Sequence, residues 1–353
     1  MSEAILSETH ARRGASPGLW ALAWRRFCRD RVGVVSLVVV LCFFCLMAAS
    51  GLHLIAGDWG REVGTNYAPP TFAGSEISIP GAPATQPAPT ATTGAELREE
   101  SNIVDPLADA LAEIRRETGA AQAVEVKTTT LAFGGDKWGR DVLKKVIKGT
   151  QTSMFVGLAA AALATLIGTL FGALAGYYGR ATDDFFNWFY SIFTAVPYLL
   201  LILAIAAVLQ QKGTLTVVLI LGLTGWPGIF RLVRAEYLKH RVREYIQAAD
   251  AIGASHARRM FVHILPNVSH VILVQLSLHV VLFIKSEVIL SFLGFGVGVE
   301  TVSWGSMLNE AQSELILGKW WQLAAATLAM ATLVTAFSLF TDALRDALDP
   351  RLK

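Results

Sequence analysis

Charge is costly inside an apolar run, and the run that follows Pro266 carries two charges, Lys285 and Glu287, the only Asp, Glu, Lys or Arg before Glu300. Ionisable groups at membrane depth face either protein or a water-filled path. Standing two apart, they point to different sides of a helix and need not pair with each other. Two roles are open for Glu287: a lining of a solute path, or a structural hydrogen bond between helices. Bond-breaking chemistry has no such foothold. The chain holds no Gly-x-x-x-x-Gly-Lys-Ser/Thr phosphate loop, no His-Glu-x-x-His and no nucleophile elbow. His256, His263 and His270 recur every seven residues but straddle Pro266, which favours structural roles over a metal site. Cys28, Cys42 and Cys45 all lie in or next to one apolar run, so no disulfide framework is implied and the Cys-x-x-Cys spacing reads as packing.

The elements that position these residues follow from composition. Of 353 residues, 53% are apolar and only 16% charged, the balance of a multispanning, all-α membrane protein. A net charge of +2, with no basic run interleaved with aromatics, argues against nucleic acid as a partner. Runs that meet the ~20 residues needed to cross a ~30 Å hydrocarbon layer predict six spans, at 32–56, 153–178, 188–210, 214–232, 268–292 and 320–341. Trp226, Pro227 and Gly228 should bend the fourth. The first is too long for a cleaved signal core and reads as an uncleaved anchor.

Basic residues set the orientation. Arg12, Arg13, Arg25, Arg26, Arg29 and Arg31 precede the first span, and Arg231, Arg234, Lys239, Arg241, Arg243, Arg258 and Arg259 accompany or follow the fourth. Both segments should be cytoplasmic, as should the C-terminal tail 342–353 with Arg345, Arg351 and Lys353. Lys144, Lys145 and Lys148 then fall on the outer side. Alternating with Val142, Val146 and Gly149, they suit a short interfacial elbow with snorkelling ammonium groups. Between the cytoplasmic segment 1–31 with its span 32–56 and the core 153–341 lies an outer insertion, 57–152. Its stretch from Pro69 to Pro89 reads as an extended, mobile linker. Asp105 and Pro106 should start an amphipathic helix with Leu107, Leu111 and Ile114 on its apolar stripe, and 122–133 is strand-like. The insertion is expected to pack on the outer ends of the spans.

Two patterns remain. Ala160, Ala164, Gly168, Gly172 and Gly176 recur every four residues, a small-residue face that lets two helices touch backbone to backbone. Its partner is either another span of this chain or a second subunit. The stretch EYIQAADAIGASHARRMFVHILPN, 244–267, is polar and basic between two apolar runs. On a helix Tyr245, Ala248, Ala249 and Ile252 share one face, Gly253 permits a turn, and a second short helix should end at Pro266.

With Gln247 before Ala248 and Ala249, three residues to Gly253, and then Leu265 and Pro266, this segment, 233–267 with its approaches, resembles the EAA signature of ABC importer permeases. Gln247 replaces a usual Glu, and His263 a usual branched aliphatic residue. GGDKWGRDVLKKVIKGT (134–150), AGYYG (175–179), AVPYLLL (195–201), GWPG (225–228), SFLGFG (291–296), SWG (303–305) and DALRDALDPRL (342–352) resemble the C-type subunit of dipeptide, oligopeptide and nickel permeases. The long Pro-rich insertion and Lys285 depart from that pattern. The resemblance implies a type I ABC importer permease fold in a bacterial inner membrane. It implies an ATPase-docking role for Tyr245, Gln247, Ala248, Ala249, Ile252, Gly253 and Pro266, with ATP and Mg held by partner ATPase subunits and no cofactor on this chain. It further implies a second permease subunit, an extracytoplasmic solute-binding protein, and peptides as cargo, with nickel complexes or glutathione behind. A self-contained secondary transporter is the alternative outside the family, and it should show internal repeats or ion-coordinating charges in several spans.

Overall fold

Apolar segments with no water to satisfy their amides close their hydrogen bonds locally, and these fold as helices. A computed structural model describes residues 19–74, 127–298 and 300–348. The helices are α1 (Leu19–Phe27), α2 (Arg31–Gly51), α3 (Val142–Tyr178), α4 (Arg180–Thr194), α5 (Tyr198–Leu209), α6 (Thr214–Thr224), α7 (Pro227–His240), α8 (Glu244–Ala251), α9 (His256–Arg258), α10 (Leu265–Phe292), α11 (Trp304–Ile316) and α12 (Trp321–Leu348). Among the described residues five helical stretches are long and apolar enough to cross a membrane: Arg31–Gly51, Val142–Tyr178, Thr214–His240, His256–Phe292 and Trp321–Leu348.

The third expected span is not one rod. Residues 188–210 fall on α4 and α5, which bend by 81° where Pro197 interrupts the helix, so the pair makes a sixth, broken crossing or a re-entrant loop. The fourth runs past 232 to His240, carrying Arg231, Arg234 and Lys239 on the helix itself. Its break at 225–226 is brief, with Trp226 buried and stacked on Phe189 at 5.3 Å.

The short helix expected at Val142–Gly149 is not a separate element. Val142 starts α3, whose 37 residues continue into the second span without interruption. All three lysines have partners in the protein, and one of them is enclosed. Lys144 pairs with Asp58 at 2.7 Å and Lys148 donates to Gln151 at 2.8 Å. Lys145, only 2% exposed, pairs with Glu310 at 2.7 Å and donates to the Gln322 side chain at 3.1 Å.

The small-residue face of α3 packs inside the chain. A Cβ on Gly172 would stand 2.8 Å from the Phe230 carbonyl oxygen, and one on Gly176 2.6 Å from that of Arg234. Ala160, Ala164 and Gly168 are buried on the same helix, with Gly168 against Trp226 and Ile229. The partner is thus the span formed by α6 and α7.

Residues 61–141 form a separate unit. Within it, Glu62 bridges Arg140, Gly64 bridges Thr128, and Pro70 bridges Leu131, as isolated pairs and not as strands. The strand-like pattern at 127–133 meets too few partners to build a ladder. Pro69 and Pro70 are part of this ordered set, since Leu131 N–H donates to the Pro69 carbonyl at 3.2 Å. The remainder of the Pro-rich stretch and the helix expected from Asp105 lie outside the described residues.

Candidate functional site

The segment 244–267 is mounted on the membrane core by its inward side chains. Ile246, Met260 and Ile264 join Ala173, Ile229, Val233, Tyr237 and Val268 in one buried cluster. The Tyr237 hydroxyl donates to the Met260 carbonyl at 3.1 Å. At the end of α8, Ala254 N–H donates to Ala249 and Gly253 N–H to Asp250, each at 2.9 Å. These are the paired bonds of a Schellman cap, and Gly253 at φ +81° supplies its left-handed residue. No atom lies within 4 Å of where a Gly253 side chain would start, so backbone conformation alone calls for glycine here. Ser255 then caps α9 by accepting from Arg258 N–H at 3.3 Å.

The second helix does not end at Pro266. Arg259–Ile264 adopts π geometry and passes directly into α10, with Pro266 in the first turn of that helix. The wider turn accommodates the ring where an α-turn would need the missing amide hydrogen. The proline is thereby absorbed, and the chain runs as one helix from His256 to Phe292.

The shared face read from the sequence is split by the structure. Ala249 is only 5% exposed and points inward with Ile246, because those two positions meet the core. Tyr245, Gln247 and Ala248 are exposed, and Ile252 is 84% exposed at the tip of the turn. Partial burial of its ring raises the pKa of the Tyr245 phenol, whose hydroxyl shares a 2.8 Å hydrogen bond with His240 Nδ1. Gln247 Nε2 donates to the Val242 carbonyl at 3.2 Å, which fixes the entry to α8. Asp250 pairs with Arg259 across the turn.

Glu287 is fully buried. Its Oε2 accepts from Ser153 Oγ at 2.8 Å and its Oε1 from Ser291 Oγ at 2.7 Å, and Ser153 Oγ in turn accepts from Trp304 N–H at 3.2 Å. The residue therefore ties α10 to α3 and to the start of α11. Lys285 lies exposed on the other side of α10, with no ion pair among the described residues. Trp304 completes the junction. Its indole N–H donates to Val146 at 3.2 Å, Ser303 and Ser306 form a capping box, and a Cβ on Gly305 would meet the Val288 carbonyl at 2.6 Å.

Two junctions have no signal in local sequence. Asp183 holds Arg234 through two hydrogen bonds, at 2.5 and 2.6 Å, joining α4 to α7. The Lys145–Glu310–Gln322 group joins α3, α11 and α12. Asp183–Arg234, Lys145–Glu310 and Lys145–Gln322, 51, 165 and 177 residues apart, are beyond the reach of any periodicity.

Residues 168–353 match the family model described as the inner membrane component of binding-protein-dependent transport systems. The chain belongs to this family. Residues 18–70 also match the N-terminal transmembrane domain of oligopeptide transport permease C. A dipeptide transport system permease protein of Bacillus subtilis is 37% identical over 221 residues, covering 63% of this chain and 69% of that protein. An oligopeptide transport system permease protein of the same organism is also 37% identical, over 63% of this chain and 72% of its own length. A di/tripeptide transport system permease protein of Pseudomonas aeruginosa is 36% identical over the same shares. This permease is a multi-pass membrane protein, and the matched region contains the Schellman turn, Ile252 and Glu287.

Proposed function

We propose that this permease forms half of the translocation path of an ATP-driven importer for peptides or peptide-like small solutes, and that α8 with its turn is where ATPase motion enters. The exposed apolar tip carries this reading. Ile252 and Ala248 stand free of their own chain, while the other side of α8 is bolted to α3, α7 and α10. A push on the tip would therefore be delivered to the spans and not dissipated in a loop. The printed roles of the relatives favour peptide cargo.

In this reading the chain binds no cofactor, and ATP with Mg belongs to ATP-binding partner subunits. A second permease subunit completes the path, and an extracytoplasmic binding protein delivers the solute. The chain sits in a bacterial inner membrane with both termini cytoplasmic, since orientation follows Lys and Arg counts and not net charge. That keeps Arg234 and Arg259 in the tally despite their carboxylate partners. Lys285, exposed on α10 and without an ion pair among the described residues, is the charge available to the path.

The test is capture of the tagged chain from its native membrane in mild detergent, with mass identification of what accompanies it. An ATPase and a second permease should co-purify, and Ile252→Arg should release the ATPase while the second permease stays. Recovery of a transport-competent chain alone would refute the importer reading.

A further inference from the structure

Beside the crossing of α2 and α12, where a Cβ on Gly33 would stand 2.7 Å from that of Ala343, runs a groove of about 610 Å³. Its walls are Val32, Val35 and Val39 on one helix and Ala331, Thr335 and Leu339 on the other, and Arg31 stands at its mouth. The volume falls within the ~300–1,000 Å³ of small-molecule sites. We propose that this groove binds one acyl chain of an anionic glycerophospholipid whose phosphate is held by Arg31.

Three observations select that occupant. The first is charge, since Arg25, Arg26, Arg29 and Arg31 face a single acid, Asp30, between residues 25 and 31. Asp30 is turned onto its own helix, where Oδ1 accepts from Val32 N–H at 3.0 Å. Arg25, Arg29 and Arg31 have no carboxylate partner among the described residues. Basic pockets between spans at a headgroup layer are suited to anionic lipids.

The second is depth. Trp24, 61% exposed and stacked on buried Phe27, lies beside the arginines, and Phe27 packs against Phe340 near the groove. An exposed indole at a span's end marks the headgroup level. The third is the lining and its length. Ser36 and Thr332 spend their hydroxyls on the carbonyls of Gly33 and Leu328, at 2.8 and 2.7 Å, so the groove between Arg31 and Val39 is mostly apolar. From Arg31 to Val39 it rises ~12 Å at ~1.5 Å per residue, less than half of a ~30 Å hydrocarbon core. That suits a chain from one leaflet and is too short to seat a partner's spanning helix.

The test uses the purified complex, stripped of lipid in neutral detergent and titrated with dioleoylphosphatidylglycerol or dioleoylphosphatidylcholine under native mass spectrometry. One equivalent of the anionic lipid should remain bound under conditions that remove the zwitterionic one. Arg31→Gln should weaken the anionic lipid about fivefold, the attraction of one basic residue, and Arg31→Lys should restore most of it. Thr335→Trp, filling the groove from an exposed position, should displace the lipid, and Lys319→Gln, remote from the groove, should not. Equal retention of the two lipids, or retention unchanged by Thr335→Trp, would reduce the site to ordinary annular contact and overturn the proposal. So would disulfide capture of Thr335→Cys by the second permease subunit, which would assign the groove to a protein interface.

Discussion

At the scale of single residues, the structure separates two charges that the sequence places side by side. Glu287 accepts two serine hydroxyl bonds in a fully buried junction, while Lys285 faces away from it. Removal of the carboxylate should therefore act on stability before transport. Glu287→Gln retains one acceptor oxygen, so a loss of ~1 kcal/mol is expected, the scale of one interhelical hydrogen bond in a membrane protein. Glu287→Ala strands both donors and leaves a void, and should cost ~2–4 kcal/mol. Denaturation of the detergent-purified chain checks both, and a Glu287→Ala variant of normal stability with reduced uptake would return Glu287 to the path. Lys285→Gln is expected to show the opposite pattern, with unchanged stability and altered uptake of anionic peptides. The presence of two charges in an apolar run was legible in the sequence. Which of them is enclosed was not, because that depends on Ser153, 134 residues away.

At the scale of the element, the helix, Schellman turn and capped helix of 244–267 were readable because their determinants are local. Gly253 is needed for its φ of +81°, and Ser255 for its cap. The rotation of α8 was not readable, since helical spacing defines a face without saying what lies against it. Burial of Ala249 and Ile246 answers that. Three substitutions separate docking from folding. Ile252→Arg should leave stability within ~0.5 kcal/mol, as exposed changes do, while uncoupling ATP hydrolysis from uptake. Ala249→Arg should fail earlier, by forcing a charge into a buried position, and is expected to lower the yield of folded chain. Gly253→Ala should cost ~1–2 kcal/mol for its left-handed backbone with docking otherwise intact. Thermal denaturation paired with an uptake assay reads all three, and normal uptake by a well-folded Ile252→Arg variant would count against the tip as the ATPase contact. Pro266 shows the opposite limit of local reading. Its missing donor is visible in sequence, but the π turn at Arg259–Ile264 that absorbs it is not.

At the scale of the whole molecule, α3 acts as a spine, and what fastens it changes along its length. Toward Tyr178 it is held by backbone contact, with Gly168, Gly172 and Gly176 against α7. Toward Val142 it is held by polar groups, through Lys145 to Glu310 and Gln322 and through Ser153 to Glu287. The glycine half was written in the sequence as a repeat of four. The polar half was hidden, because a lysine cluster has the same composition whether it snorkels or pairs. The two halves should respond differently to substitution. Gly172→Leu drives a side chain into the Phe230 carbonyl and should prevent accumulation of folded chain, with no compensating change available on rigid backbone. Lys145→Met removes one charge of a pair that the fold shields, leaving Glu310 unmatched. A buried pair broken on one side costs ~3–5 kcal/mol, and Glu310, about one-third exposed, should bring that toward the lower end. Adding Glu310→Gln to Lys145→Met should then recover stability, since the stranded carboxylate is gone. A double-mutant cycle on the detergent-purified chain measures the coupling. If the double variant is as unstable as the two single losses summed, the pair is not what fastens this half of the spine, and the snorkelling arrangement of Lys145 would regain its claim.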